Sequence, residues 1–321
     1  MACVGSWTQL RLERVPSCRY TAMTMQESIV TTATSRPPVL TSARGLLERY
    51  EAIFCDVWGV VHDGWTAYPG AMRALTAFRE TGGVVVLVSN APVPPDRVAQ
   101  MLDQRAVPRT AWDAIVSSGG RALDHIRAAG LDAVYAIGPR QRDAAFFERL
   151  TARQVDLRDA EALVCTGLED DERETVADYR PVLERARARD LQFICANPDL
   201  IVDVGGRHYP CAGALAQAYE DMGGRVMWAG KPHPIAFAQA QARAETILGS
   251  SLASSQILAI GDAIRTDLKS AEQAGVDALF IAAGIHRQDT MVGDAIDPDK
   301  LERMFRAGSP SAVAAMAYLD W

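Results

Sequence analysis

The apolar run at residues 53–55 (Ile-Phe-Cys) constrains the fold most, because it ends on the carboxylate of Asp56 and passes into a loop that contains Gly59. A short run rich in Ile and Phe with this boundary is typical of a buried β-strand. Asp56 is therefore predicted at the carboxyl end of a strand, and in open α/β sheets ligands bind in the crevice outside these ends. There an ionised Asp can serve as a metal ligand or as a nucleophile. An Asp that only caps the next turn has the same local pattern, so this stretch by itself leaves both interpretations open.

Strand-like and helix-like patterns alternate from Thr41 onward. Residues 71–81 carry apolar side chains at helical spacing, the pair Gly82-Gly83 ends that helix, and a β-branched run follows at residues 84–88. Two strands with a helix between them make a βαβ unit, in which the strands are parallel. The alternation predicts an α/β protein with a Rossmann-like core built on a doubly wound parallel sheet.

The middle of the chain repeats the same pattern. Strands are predicted at residues 114–116, 133–137, 162–165 and 192–195, and helices at residues 121–129, 142–152 and 175–188. The pair Gly205-Gly206 is typical of a hairpin turn. These units exceed what one six-stranded sheet usually holds, so we infer an inserted α/β domain. The core is predicted over residues 41–109 and 230–321, and the inserted domain over residues 110–229.

Composition narrows the class of protein. The 321 residues, 49% of them hydrophobic and 23% charged, are enough for one large or two medium-sized globular domains. A formal net charge of -7 argues against nucleic acid or an anionic membrane surface as the main partner. No run of about twenty apolar residues is available to span a membrane. The six cysteines form no Cys-x-x-Cys pair, so we interpret them as reduced core residues of a cytoplasmic protein.

Residues 1–40 differ from the rest of the chain. They are rich in Ser and Thr, show weak periodicity and end near the break at Arg36-Pro37-Pro38. Several arginines resemble those of a transit peptide, but the uninterrupted apolar core of a secretory signal is missing. We predict a disordered leader here, or a start codon placed too far upstream of Met23 or Met25.

Polar residues mark the carboxyl ends of three predicted strands. They are Asp56, the pair Ser89-Asn90, and Asp262 after the strand at residues 256–260. Two acids offer the oxygen ligands that a hard cation such as Mg²⁺ prefers. A Ser hydroxyl, an Asn amide and the ammonium group of Lys231 are the groups that bind a phosphate. A lone Lys231 would be interpreted as a surface lysine, whereas the set together predicts a site for a metal and a phosphate.

Taken together, these four pieces resemble the haloacid dehalogenase superfamily of phosphohydrolases, whose four motifs they match in order and spacing. The matching residues are Asp56-Val57-Trp58-Gly59, Ser89-Asn90, Lys231, and Gly261-Asp262 with Asp267. The insert between the second and third motifs is the position of the large α/β cap of the family, of the C2 type. Further stretches resemble the class IIA, NagD-like phosphatases: Val61-His62-Asp63, Asn197-Pro198-Asp199, the residues 209–215, Gly230-Lys231-Pro232 and the residues 261–267.

The resemblance implies a role for each motif residue. Asp56 would be the nucleophile that takes up the phosphoryl group as an aspartyl-phosphate. Mg²⁺ would be held by Asp56, by the backbone carbonyl of Trp58 and by Asp262, with Asp267 supporting these ligands from behind.

The remaining motif residues would act on the substrate. Ser89, Asn90 and Lys231 would bind the transferring oxygens and offset their charge, which is where most of the catalysis of phosphoryl transfer lies. The resemblance also implies a small phosphorylated metabolite as substrate, such as a sugar or nucleotide phosphate. It is compatible with a homodimer formed through the cap.

The chain departs from the family pattern at Trp58. Phosphatases of the family carry a second Asp at this position, which protonates the leaving group and then activates water. The metal site is unaffected, because the family uses the carbonyl oxygen of this residue, but the proton donor is lost. General acid catalysis contributes roughly 10² to 10⁴ in rate.

Several functions therefore stay open. The first is a phosphatase that turns over alkyl esters slowly, and the second is a phosphate-binding or regulatory protein that has lost turnover. The third is another hydrolase such as a dehalogenase, since those enzymes of the superfamily carry an aromatic Tyr where this chain has Trp58. His62 and Asp63 are the nearest spare acid and base, in a loop that we expect to form the flap between core and cap.

Overall fold

The computed structural model describes residues 36–205, 207–306 and 309–321. The leader predicted over residues 1–40 lies outside the described residues apart from its last part. There the backbone N–H of Leu40 donates to the carbonyl of Ala315, and the N–H of Ala315 donates to the carbonyl of Pro38. The main chain near the C-terminus therefore pairs with residues 38–40, a long-range contact that local sequence patterns do not indicate.

Strands and helices follow each other as the pattern predicts over most of the chain. The strands are β1 (Ala52–Cys55), β2 (Val84–Ser89), β3 (Ala114–Ser117), β4 (Ala133–Ile137), β5 (Arg153–Gln154), β6 (Ala162–Cys165), β7 (Gln192–Cys195), β8 (Ile201–Val204), β9 (Arg207–Pro210), β10 (Arg225–Trp228), β11 (Ile257–Gly261), β12 (Asp277–Ile281), β13 (Met291–Val292), β14 (Ala295–Ile296) and β15 (Ala314–Met316). The helices are α1 (Arg44–Leu47), α2 (Pro69–Glu80), α3 (Pro95–Gln104), α4 (Ser118–Ala128), α5 (Ala144–Phe147), α6 (Arg180–Ala188), α7 (Ala212–Asp221), α8 (Pro234–Leu248), α9 (Lys269–Ala274), α10 (Arg287–Thr290) and α11 (Pro298–Met304).

Parallel strands form the first sheet in the order β15-β12-β11-β1-β2-β3. β1 lies near its middle, where Cys55 is in register with Ile260 of β11 and Leu87 of β2. Every residue of β1 and β2 is buried, as expected for parallel strands covered on both faces. The prediction of a Rossmann-like α/β core with a parallel sheet is confirmed.

The side chains of β1 alternate between two hydrophobic clusters, one on each face of the first sheet. Ile53 belongs to a cluster that includes Phe78 of α2. Phe54 belongs to the other, where its ring meets that of Phe237 in α8 edge-on, with the centroids 5.4 Å apart. Packing on both faces fixes β1 and so fixes the position of Asp56, which follows it.

A second parallel sheet has the order β10-β7-β6-β4-β5. It carries its own buried clusters, in one of which Phe193 of β7 packs on Tyr219 of α7 with the ring centroids 5.6 Å apart. A separate sheet with its own core is what the surplus of strand and helix units indicates.

The first sheet extends further along the chain than predicted. The boundary at residue 110 would place β3 in the inserted domain, but β3 pairs with β2, and Ser117 lies beside Ser89. Asp113 explains this placement, because its carboxylate accepts a hydrogen bond from the backbone N–H of Val85 at 2.8 Å and forms an ion pair with Arg79. The sequence pattern locates this strand correctly and gives no information on which sheet it joins.

Smaller elements agree with the sequence pattern to different degrees. β8 and β9 form an antiparallel hairpin where Gly205-Gly206 predicts one. α5 is much shorter than the helix predicted at residues 142–152, because the chain turns into the extended strand β5. α3 and β15 were not predicted. Among the residues that the structure describes, no helix is both long and apolar enough to cross a membrane.

Candidate active site

Three neighbouring strands of the first sheet end at the same edge and bring polar side chains together. Asp56 follows β1, Ser89 ends β2 and Asp262 follows β11. Lys231, which precedes α8, and Asp267, from the helical turn before α9, reach the same point. Lys231, Asp267 and Asp262 are only 2%, 3% and 4% exposed, respectively. The structure thus gathers these predicted residues into one buried site.

Lys231 bridges two carboxylates. Its Nζ donates to Asp56 Oδ1 at 2.7 Å and to Asp267 Oδ1 at 2.6 Å. Burial by itself would lower the pKa of this ammonium group, but the charges of Asp267 and Asp56 outweigh burial and raise the pKa above its usual value. Lys231 is therefore a permanent cation. Since an ammonium group has three donors, one N–H is left for a further oxygen.

Asp56 keeps one oxygen free. Lys231 occupies Oδ1, whereas Oδ2 makes no hydrogen bond with any residue in the described ranges. Burial and then the charge of Asp267 raise the pKa of Asp56 to about 7, against the lowering effect of Lys231. A cation bound nearby would favour the ionised form. A carboxylate held at one oxygen and open at the other is arranged as a nucleophile.

Asp56, Asp262 and Asp267 form a cluster that fits a hard cation. One oxygen from each lies within 4.8 Å of the others. Asp262 Oδ2 accepts a hydrogen bond from the backbone N–H of Ile285 at 2.7 Å, and burial raises the pKa of this carboxyl well above its usual value. The three carboxylates outnumber the one ammonium group that contacts them, so a divalent cation would balance their charge.

Asp267 has partners for both of its oxygens. Oδ1 accepts from Lys231, and Oδ2 accepts from the backbone N–H of Ala263 at 3.2 Å. These contacts fix Lys231 and the start of the loop after Asp262. Asp267 is therefore placed to support the cation ligands more than to bind a cation itself.

Gly59 lets the loop after β1 approach Asp262 closely. Its φ of +82° lies in the left-handed region, and a Cβ at this position would lie 2.1 Å from Asp262 Oδ2. A larger residue would displace the loop from the carboxylate. The backbone beside Trp58 is thereby held against the carboxylate cluster, where a carbonyl oxygen can complete the ligand set of a hard cation.

The side chain of Asn90 forms hydrogen bonds with other groups of the protein, whereas the sequence predicts that it binds phosphate. Its Nδ2 donates to the carbonyl of Lys231 at 3.0 Å and to Asp199 Oδ1 at 2.9 Å, while its Oδ1 accepts from the backbone N–H of Lys231 at 2.9 Å. Both N–H groups of the amide are therefore used within the protein. Asn90 positions the backbone of Lys231 and ties it to the second sheet. Ser89 differs, because its Oγ accepts from the N–H of Ala91 at 3.1 Å and its own O–H is left to donate.

Trp58 lies in the flap, which we define as residues 57–68 between β1 and α2. Its Nε1–H donates to the carbonyl of Asp203 in β8 at 3.2 Å. Gly64, with φ of +98°, leaves room for the indole, since a Cβ there would lie 2.5 Å from the ring. The residue in the proton-donor position of the family thus forms a contact between the flap and the β8–β9 hairpin.

His62 and Asp63 do not offer an acid for the leaving group. His62 is only 2% exposed and does not line the cavity; its Nδ1 accepts from the N–H of Gly64 at 2.9 Å, and burial lowers its pKa to about 4. The imidazole is therefore neutral near pH 7. Asp63 does line the cavity, but its Oδ1 caps a turn by accepting from the N–H groups of Trp65 at 2.9 Å and Thr66 at 2.7 Å.

A cavity of about 1560 Å³ opens over the site, between the first sheet and the β8–β9 hairpin. Asp56, Ser89 and Lys231 line it from one side. Asp199 lines it from the other, in the β7–β8 loop (residues 196–200). Asp199 belongs to the stretch Asn197-Pro198-Asp199 that resembles the NagD-like phosphatases, a resemblance that implies no role for its carboxylate. Its position gives one signal, because Asp199 lies in the loop after the buried strand β7, four residues beyond Cys195.

Comparisons with known proteins agree with this fold and site. Family profiles match residues 53–150 as a haloacid dehalogenase-like hydrolase and residues 228–303 as HAD-hydrolase-like. A solved structure of a haloacid dehalogenase-like hydrolase from Brucella suis 1330 is 42% identical, with a TM-score of 0.75, covering 88% of this chain and 99% of that one. The chain therefore belongs to the haloacid dehalogenase-like hydrolases, as its motifs predict.

Curated relatives place the chain in the NagD-like branch of class IIA. Ribonucleotide monophosphatase NagD of Escherichia coli strain K12 is 26% identical over 252 residues, which are 74% of this chain and 89% of that protein. The 5'-nucleotidase YutF of Bacillus subtilis strain 168 is 24% identical over 255 residues, which are 78% of this chain and 94% of that protein.

Proposed function

We propose that this protein is a Mg²⁺-dependent phosphatase of small phosphorylated metabolites, such as sugar or nucleotide phosphates. One observation carries the proposal: Asp56 keeps a free oxygen beside a buried ammonium group and a cluster of carboxylates. The names of its relatives, a ribonucleotide monophosphatase and a 5'-nucleotidase, support the class of substrate. The net charge of -7 supports a small molecule as the partner, and not nucleic acid or an anionic membrane.

In the proposed reaction, Asp56 Oδ2 attacks phosphorus and the bond between phosphorus and the ester oxygen breaks. The product is an aspartyl-phosphate. Water then attacks the same phosphorus, the bond to Asp56 breaks, and inorganic phosphate leaves. Lys231 would bind the phosphoryl oxygens through its remaining N–H, and Ser89 through its hydroxyl. Fixed donors of this kind stabilise the charge of the transition state without reorganisation.

Asp56, Asp262 and the backbone carbonyl of Trp58 would hold the Mg²⁺, and Asp267 would support them. When bound, the cation would offset the charge of the phosphoryl oxygens. Asn90 would act indirectly in this scheme, by fixing the backbone of Lys231.

Phosphate release tests the proposal. Sugar phosphates, nucleotides and 4-nitrophenyl phosphate are assayed with Mg²⁺ and with chelator, beside the variant Asp56→Asn. Hydrolysis that requires Mg²⁺ and is abolished in the variant is the expected result. Halide release from a 2-haloacid, without phosphate release from any ester, would instead assign the protein to the dehalogenases.

A phosphate-binding or regulatory protein is the second candidate, because Trp58 replaces the proton donor and contacts Asp203. Such a protein would bind phosphate esters without turnover, and Asp56→Asn would then have no hydrolysis to remove. A homodimer formed through the second sheet stays a prediction, which light scattering of the purified chain would test.

A further inference from the structure

We infer that Asp199 supplies the acid that Trp58 lacks: its carboxyl group, carried by the β7–β8 loop, protonates the ester oxygen as the metabolite leaves. The inference rests on the proposed phosphatase function and adds a catalytic residue to it. The acid then enters the site from the second sheet, and not from the flap.

A chain of contacts joins Asp199 to the nucleophile. Asp199 Oδ1 accepts from Asn90 Nδ2 at 2.9 Å, and Asn90 Oδ1 accepts from the backbone N–H of Lys231 at 2.9 Å. Lys231 Nζ in turn donates to Asp56 at 2.7 Å. Asp199 also lines the same cavity as Asp56 and Ser89. The two carboxylates therefore face one substrate space from opposite sheets.

The second oxygen of Asp199 is available to a substrate. Within the described part of the chain, Oδ2 makes no hydrogen bond, while Oδ1 is held by Asn90. Asp199 is partly buried in the wall of the cavity, so the open oxygen has access to a bound ligand. This arrangement matches that of Asp56, in which one oxygen is held and the other is free.

The loop that carries Asp199 has a fixed position. The N–H of Asp199 donates to Asn197 Oδ1 at 3.2 Å. At the start of α7, Gly213 packs directly on the loop, since a Cβ there would lie 2.3 Å from the carbonyl oxygen of Pro198 and 2.4 Å from that of Asp199. The N–H of Cys211 also donates to the carbonyl of Leu200 at 3.0 Å. An acid needs this kind of fixed support to reach a leaving group repeatedly.

Trp58 supports the same segment from the flap. Its Nε1–H donates to the carbonyl of Asp203, four residues after Asp199. The segment is thus bonded to the first sheet at two places, Asn90 and Trp58. The residue that replaces the usual proton donor helps to position the segment that carries the new one.

The surroundings of Asp199 favour its protonated form. Burial raises the pKa of this carboxyl, and the charge of Asp267 acts in the same direction, against Asn90 and Lys231. The other titratable groups that interact with it are Asp56, Cys195 and Cys211. Asp63 differs, because backbone hydrogen bonds lower its pKa although its burial acts in the opposite direction. Of these two cavity carboxyls, Asp199 is the one whose surroundings favour the protonated form that a general acid needs.

Two proton transfers complete the reaction. As Asp56 Oδ2 bonds to phosphorus and the ester bond breaks, the ester oxygen takes the proton of Asp199 and leaves as an alcohol. Asp199 is then a carboxylate, and it removes a proton from the water that attacks the aspartyl-phosphate. Asp56 is released as a carboxylate, phosphate departs, and Asp199 is again protonated.

The test compares an alkyl phosphate with 4-nitrophenyl phosphate, whose leaving group departs without a proton. In Asp199→Asn, kcat/KM for the alkyl ester should fall by roughly 10² to 10⁴, and kcat/KM for the aryl ester by less than about tenfold. Asn keeps the acceptor for Asn90. Mixing this variant rapidly with the aryl ester should give a burst of nitrophenolate, because the water step has lost its base.

Asp203→Asn is the matched control, since Asp203 also lines the cavity and its backbone carbonyl remains to bind Trp58. It should change kcat/KM for both esters by the same factor. Equal losses for the two esters in Asp199→Asn would overturn the assignment of the acid, and a missing burst would overturn that of the base.

The wild-type protein provides a test that does not depend on how a variant folds. With an acid in place, kcat/KM should vary little with the pKa of the leaving group across a series of esters; a steep dependence would overturn the inference. Failure of the proposed function looks different, because the wild type would then release phosphate from neither type of ester.

Discussion

Two acids lie beyond the carboxyl ends of parallel strands, in different surroundings. Asp56 follows β1 inside the first sheet, and Asp199 follows β7 inside the second, between the neighbours β6 and β10. An ammonium group contacts Asp56 at 2.7 Å, whereas a neutral amide contacts Asp199 at 2.9 Å. Asp56 belongs to the carboxylate cluster that fits a cation, and Asp199 does not.

The comparison shows how one topological rule can place both the nucleophile and the general acid of a reaction. Parallel strands present side chains at their carboxyl ends whatever sheet they belong to. Burial raises the pKa of both carboxyls. A cation bound in the carboxylate cluster would favour the ionised form of Asp56, whereas Asp199 lies outside that cluster. The proposed nucleophile and the inferred acid are thus the same residue type in two electrostatic settings.

Removing Asp262, a proposed cation ligand, should have the largest effect, and this effect concerns the Asp56 side of the cavity. In Asp262→Ala, kcat/KM for alkyl and aryl esters should fall together by about 10³ or more, because the phosphoryl charge loses several kcal/mol of stabilisation. Calorimetric titration with Mg²⁺ should show lost or much weaker binding. Full recovery of activity at high Mg²⁺ would mean that Asp262 is not a ligand.

An Asp placed at position 58 should restore a proton donor in the flap when Asp199 can no longer act as one. In the double variant Asp199→Asn with Trp58→Asp, kcat/KM for the alkyl ester should rise about 10- to 100-fold over Asp199→Asn alone, which recovers part of the contribution of general acid catalysis. The aryl ester should change little. Loss of the indole can cost a few kcal/mol of stability, so thermal unfolding is measured first.

An effect of about 2- to 10-fold is expected from Trp58→Phe, which keeps a ring and removes one hydrogen bond of ordinary strength. Without the N–H that binds the carbonyl of Asp203, the segment that carries Asp199 should be held less firmly. The alkyl ester should lose more kcat/KM than the aryl ester. Equal kcat/KM values for wild type and variant on both esters would show that the flap contact does not position Asp199.

Substitution of His62 should change the stability of the protein and leave the ratio of alkyl to aryl kcat/KM unchanged. Its pKa is about 4 in the folded protein and about 6.5 in an unfolded chain. The unfolded state therefore binds more protons between these two values. The contribution of His62 to the free energy of unfolding is complete above pH 6.5 and is lost as the pH falls toward 4. Urea unfolding should show the stability advantage of wild type over His62→Asn shrinking by about 2 to 3 kcal/mol from pH 7 to pH 4. A changed ratio of alkyl to aryl kcat/KM would give His62 a part in proton transfer.

Strand ends were the most predictable part of the site. The apolar runs before Asp56, Ser89 and Asp262 are unambiguous, and parallel strands must end at a common edge. Asp267 has no such local signal and is indicated only by a family motif, whereas Lys231 is predicted from the groups that a phosphate needs. β15 was missed because its Ala-Ala-Met sequence contains no β-branched residue.

Contacts between the two sheets could not be predicted from the sequence. Asn90 has the right chemistry to bind phosphate, and only the fold shows that Lys231 and Asp199 use both of its N–H groups. The position of Asp199 over the first sheet likewise depends on how two separate cores pack. Local patterns predict where a strand ends. Which residues lie beside that end depends on how the whole chain packs.

The hydrogen bond between Asn90 and Asp199 has a consequence for how the protein would choose among metabolites. An ester too bulky to let this bond form would still meet the nucleophile and the phosphate donors. It would lack only the proton that its oxygen needs in order to leave. Large esters would therefore bind and dissociate without being cleaved, so that selection by size acts on the chemical step and not on entry.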